Sequence, residues 1–472
     1  MTKDTTTKIA KEDVRSIECK HVTYVEAKDG SGDDYNIAKL VVHTHSGERI
    51  PVLKYFRNFE RPFWLTKKVH QNHTGRKEWE DLDKLDMYKC RQNKLVETIA
   101  LRQGWGDPRG MLRTLARNPY LYGADIKPET LIKAKYMSLY KDSFTPNQVA
   151  VVDFETDVLK GDGKAPIIGS ITMKEKVWIG VMNHYVEGIA NPRERIDQAM
   201  EKYLGDVIKE RNIQYEVVFF DSAAELVYQL LQTAHRWKPD LVVYWNMLAD
   251  LEFMIGALQK ENYDLAQAFS DPTVPPHLRH FDLAIGKKIR VKADGKAMNL
   301  ANYERWHTLT APAHFVHVDA MAAYYWIRKA KGKEPSYALD DILTAHLDRG
   351  KLYIPGTSTA PPGSIDWHMD MQMNYKIPYI VYNVFDDVGV EMLLEKTLDM
   401  DQLSLLLGFS PISDFVSNPR HTSNKMFFHC LNMKKPRVLG CVSDRMTEDI
   451  DKHLPGRDGI NVKQLTQSVI MW

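Results

Sequence analysis

The chain has 472 residues, 44% hydrophobic and 26% charged, which is ordinary globular composition for about three domains and excludes a fibrous or wholly disordered protein. Lys and Arg number 63 against 62 acids, so a net charge of +1 provides no global attraction to nucleic acid, and any such contact has to come from local patches. Cys19, Cys90, Cys430 and Cys441 have neither metal-cluster nor disulfide-framework spacing. With a polar start and no run of about 18 apolar residues, the chain is expected to be soluble and cytoplasmic, with no membrane segment.

Residues 16–56 alternate apolar and polar around "VTYVEA", "AKLVVHTH" and "IPVLKYF", with "KDGSGDD" and "SGER" as turns, and predict a small antiparallel sheet. A helical pattern is read in "KEWEDLDKLDMYKCRQNKLVETIALRQG", residues 77–104. The Pro and turn-formers of "SFTPNQ" mark a boundary near residue 147. Beyond it strands and helices alternate: "VAVVDFE", "IGSITMKEKVWIGVM", "YEVVFF", a helix, "PDLVVYW", another helix, and "FVHVD". This order predicts an α/β domain with a mixed sheet. In the first of these helices Ser222 and Glu225 have capping-box spacing, and Leu226, Leu230 and Ala234 recur every four residues. From about residue 399 short helical runs lead to "SVIMW".

Chemistry concentrates in three places. In "VVDFETDV" Asp153 and Glu155 lie two apart in a strand, so both face one way while Phe154 faces the packed side. Two converging carboxylates repel unless a cation lies between them, and an all-oxygen site suits magnesium or manganese. The spelling alone is weak, since Asp250 and Glu252 repeat it, and solvated acids at a strand end are an equally fair reading. In "PDLVVYWNMLADLEFM" a buried-type strand is followed by Asn246 and, four residues on, Asp250, which is either a site acid or a helix N-cap. In "IPYIVYNVFDDVGVEMLLEK" Tyr382 and Asp386 share a helix face, Ile380, Val384 and Val388 define another, and Asp387 is read as a surface acid.

D-x-E, then N-x-x-x-D after a strand, then Y-x-x-x-D on a helix resembles the tyrosine subclass of DEDD exonucleases. More narrowly, "FFDSAAELVYQLL", "PDLVVYWN" and "YYWIRKAKGKEPSYALDDILTAHLDRGKL" resemble the family B DNA polymerases. The resemblance is strongest over 148–398. It departs at the second motif, where Ala249 replaces the usual phenylalanine and the step from Asn246 to Asp250 is four rather than five.

The resemblance implies an N-terminal, mainly antiparallel α+β domain (1–147), an RNase H-like α/β exonuclease domain (148–398), and a mostly helical segment (399–472) leading toward a palm domain whose motifs the sequence lacks. It further implies 3′–5′ proofreading hydrolysis of DNA with two Mg2+ ions, or Mn2+, held by Asp153, Glu155, Asp250 and Asp386, with Tyr382 orienting the attacking water. The partners implied are single-stranded or frayed 3′ DNA ends and a polymerase palm, fingers and thumb, on a second subunit of bacteriophage type or on a continuation of the same chain. A host cytoplasm would be the compartment. DNA contacts are expected at Asn246, at Lys287, Lys288 and Arg290 of a basic hairpin, and at Lys434, Lys435 and Arg437 of "NMKKPRV". For the hairpin, a solvated edge and the strand-separating element that the resemblance implies are equally fair readings, and for "NMKKPRV" a solvated surface is the plainer one. His314, His317 and Asp319 lack further ligands for zinc. The competing functions are a non-cutting DNA-binding scaffold, which need not retain Tyr382 with four acids, and a DEDD ribonuclease.

Overall fold

A computed structural model describes residues 10–441 except 76, 105–111, 142, 161–162, 292–295 and 417. Their contacts form two compact units. One comprises 146–288 and 300–404, and the other comprises the described residues of 1–145, 289–299 and 405–472. No helix among the described residues is long and apolar enough to cross a membrane.

The 146–404 unit is a mixed α/β structure. Its six strands are β1 (Val149–Thr156), β2 (Pro166–Met173), β3 (Lys176–Met182), β4 (Gln214–Phe220), β5 (Leu241–Tyr244) and β6 (Val316–Asp319). They pair in the order β4-β3-β2-β1-β5-β6, and β2 alone runs antiparallel to its neighbours. Helix α1 (Pro192–Arg211) leads into β4, and α2 (Ala223–Trp237) follows it. Ser222 caps α2 by accepting from the Glu225 amide at 3.1 Å, and Leu226, Leu230 and Ala234 are buried. The expected spacing thus marks both the start of the helix and its inner face.

Next come α3 (Met247–Lys260), α4 (Ala320–Arg328), α5 (Leu339–Leu347), α6 (Ile365–Asn374) and α7 (Lys376–Thr397). Helix α7 packs against β1 and β2 on one side and against α1 and α5 elsewhere. From Tyr379 to Leu394 nearly every residue is buried. This corrects the surface reading of Asp387, which is fully buried and accepts from Ser170 Oγ at 2.6 Å. A helix enclosed on all sides has no solvated face to which a wheel could assign an acid.

In the other unit Val14–Glu26, Asp34–Thr44 and Arg49–Arg57 form the antiparallel sheet read from the alternation, joined by turns at the two expected places. Pro128–Leu139 packs against the first of these strands. The helical reading of 77–104 holds only for Leu95–Arg102. Residues Leu85–Cys90 instead pair with Arg61–Thr66, and Trp79–Asp81 pairs with Arg437–Leu439. Those pairings bury Leu85, Cys90 and Glu80 through contacts distant in sequence, which a local period does not register. The four cysteines are buried and form no disulfide.

Candidate metal centre

Strand β1 alternates as a strand must, so Phe154 enters the core while Asp153 and Glu155 emerge on the opposite face. Helix α7 supplies Asp386 to the same place. One carboxylate oxygen from each of Asp153, Glu155 and Asp386 lies within 4.8 Å of the others. Asp153 is half-buried, and the other two are buried.

Each acid has its own donor. Asn383 Nδ2 donates to Asp153 Oδ2 at 2.7 Å, and the Tyr379 hydroxyl donates to Glu155 Oε2. Lys351 Nζ lies 2.6 Å from Asp386 Oδ2 and 2.9 Å from the Tyr382 hydroxyl, bringing Tyr382 to the carboxylates. His368 Nδ1 meets the Tyr379 hydroxyl at 2.6 Å. Asp386 Oδ1 is buried without a hydrogen-bond partner.

The electrostatics are those of acids crowded out of water. Burial, followed by the charge of Asp386, pushes Asp153 up to about 7, against the pull of Lys351 and Asn383. Burial and then Asp153 raise Glu155 well above the carboxylate range, and burial also raises Asp386. Burial alone would lower Lys351, but Asp386, Tyr382 and Asp153 outweigh it and hold the ammonium protonated. Three carboxylates with an unpartnered oxygen among them form a hard, all-oxygen donor set that fits a divalent cation of the magnesium or manganese type.

Asp250 lies in the first turn of α3, buried, and the charge of Asp153 adds to burial in raising it. It is therefore electrostatically coupled to the centre while standing outside the 4.8 Å group. Asn246, not Asp250, is the N-cap residue, and its side chain makes no capping bond. The beginning of α3 is held instead by Asp319, which accepts from the amides of Met247 at 3.1 Å and Ala322 at 2.8 Å. Of the other residues weighed for zinc, His317 bonds the Tyr244 hydroxyl at 2.9 Å.

The basic positions are described locally. Ile289–Val291 and Ala297–Asn299 form the antiparallel hairpin, Lys287 and Lys288 are exposed, and Arg290 is half-buried. Of its expected turn, 293–296, the first three residues lie outside the described residues. Lys434 and Lys435 are exposed, whereas Arg437 is engaged with Asp81 at 3.3 Å and lies over the Trp79 ring.

Sequence reading missed Lys351, Asn383 and Tyr379. A loop lysine carries no periodic signal, but Tyr379 and Asn383 had one, since with Tyr382 and Asp386 they complete an i, i+3, i+4, i+7 stripe on α7. Comparison with protein-family models and with curated proteins gives no match to this chain.

Proposed function

We propose that the chain is a 3′–5′ exonuclease that removes nucleotides from single-stranded or frayed DNA ends, and that it is the proofreading portion of a family B DNA polymerase with an RNase H-like nuclease domain. The observation that carries the reading is the meeting of Asp153 and Glu155 of β1 with Asp386 of α7, acids from two separate motifs, within 4.8 Å. A mixed sheet with the acids on an inner strand is in keeping with that fold.

Asp153, Glu155 and Asp386 would hold Mg2+ or Mn2+, and Asp250 would act on the same centre from further off. Bound divalent ions supply an acidified water and offset the charge that builds on the phosphoryl oxygens. Tyr382, its hydroxyl fixed by Lys351, orients the attacking water, and the Lys351 ammonium adds positive charge beside it. Matched ends resist because unpairing a nucleotide costs a few kcal/mol, whereas a mismatched end has already frayed.

The test is a 5′-labelled DNA single strand incubated with purified protein and Mg2+. The expected product is a ladder shortened one nucleotide at a time, abolished by EDTA. Binding without cleavage would favour a scaffold, and faster loss of an RNA strand than of DNA would make the enzyme a ribonuclease.

A further inference from the structure

We infer that Asn383 and Tyr379 are positioning residues that hold the two β1 carboxylates ready for a divalent cation; this rests on the metal-dependent reading above. A buried stripe at i, i+3, i+4 and i+7 of a helix is ordinarily apolar. Here Tyr379, Tyr382, Asn383 and Asp386 form it, all buried and all polar. Each has a bond at the centre: Tyr379 to Glu155, Asn383 to Asp153, and Tyr382 and Asp386 to Lys351. Packing alone would not require such a row, because apolar side chains of similar size would fill the space without desolvating polar atoms.

The two β1 acids differ from Asp386 in the kind of donor they receive. Lys351 brings a positive charge to Asp386, which competes with any cation. Asn383 and Tyr379 are neutral donors. Each ties down one oxygen of its carboxylate, selecting an orientation while leaving intact the negative charge that attracts a metal. Tyr379 is itself held. With its proton committed to Glu155, its oxygen accepts from His368 Nδ1, and its ring lies parallel to that of Tyr382 with centroids 6.0 Å apart. Asn383 is fully buried, so it has no water to turn to as an alternative partner.

The experiment is calorimetric titration of the full chain with Mn2+, comparing wild type with Asn383→Leu and Tyr379→Phe. Loss of an outer donor of this kind typically costs about 10–100-fold in metal affinity, and that weakening is expected in each variant. Nucleotide release measured at saturating Mn2+ should recover most of the wild-type rate, which a merely misfolded variant would not do. Tyr379→Phe keeps the ring packed against Trp367 and Tyr382, so it decides the matter if Asn383→Leu fails to fold. Unchanged Mn2+ affinity in the folded variants, or a wild-type chain that takes up no Mn2+, would overturn the inference. The affinity shift supports it even where the wild type releases no nucleotide, in which case the nuclease reading alone fails.

Discussion

Asp153 sits half-buried between Glu155 and Asp386, with one neutral donor and a lysine nearby to relieve it. Asp153→Asn keeps the shape and the Asn383 bond but removes the charge. Nucleotide release should fall by about 100- to 1,000-fold or more, read from single-turnover kinetics on a labelled strand. The same variant should melt higher than wild type in EDTA. In the folded protein the pKa of this acid is raised to about 7, so its contribution to stability is fully present below the ordinary carboxylate value and lost as pH rises through 7. The gain in Tm should therefore grow between about pH 4 and pH 7 and then level off. A variant that melts below wild type at pH 8 without metal would contradict this. Tyr382→Phe is a milder lesion, because the ring still packs on Trp367 at 4.8 Å. Loss of the hydroxyl should lower kcat by about 10- to 1,000-fold with KM nearly unchanged, and an unchanged rate would leave Tyr382 a packing residue.

Strands β2 and β3 meet α2 through two glycines that face each other in register, Gly169 and Gly180. A Cβ on Gly169 would come within 2.6 Å of the Phe154 ring, and one on Gly180 within 2.9 Å of Leu226. Leu226 therefore lies in a notch that exists because both positions lack side chains. Gly180→Ala should cost about 1–3 kcal/mol by overpacking, seen as a lower denaturation midpoint with an unchanged m-value. Equal stability would mean that Leu226 and the Trp178 ring, which that Cβ would approach within 2.8 Å, both shift aside. The elements of this unit were largely legible in the sequence, since the strands of the large sheet have apolar runs and Ser222 announces α2, although the turn at Lys174 and Glu175 that divides β2 from β3 carries no turn former. The acids could be found because D-x-E in a strand and Tyr382 with Asp386 on a helix place carboxylates by local geometry alone. Asp387 was misjudged because α7 is enclosed all round, and Asn383 and Tyr379 were passed over because a buried Asn or Tyr usually means core. The pairing of Trp79–Asp81 with Arg437–Leu439 spans most of the described chain, and no window could contain it.

At the scale of the whole molecule, each unit has a core of its own: Phe154, Trp178, Leu226 and Val384 lie in one, and Phe63, Leu95, Ile99 and Leu115 in another. In "KMFFHCL" Phe427 is buried against Trp64, whereas Leu405 and Leu406 are exposed. Separate cores predict two calorimetric transitions, of which Mn2+ should raise one, by about 2.7 kcal/mol at a hundredfold excess over Kd. The transition that Mn2+ raises should be the one that Asp153→Asn shifts. Mn2+ acting on the other transition would place the cation site outside the 146–404 unit.

The bond from Asn383 to Asp153 joins positions 230 residues apart. At a synthesis rate of about 5–20 residues per second, the ribosome adds α7 roughly 10 to 50 seconds after β1 has been made. Until then Asp153 and Glu155 have neither their third acid nor their donors, and they are only two charges on an unfinished sheet. The acid cluster is therefore completed only once α7 has been made, and a growing chain that ends before Asp386 carries no three-carboxylate centre.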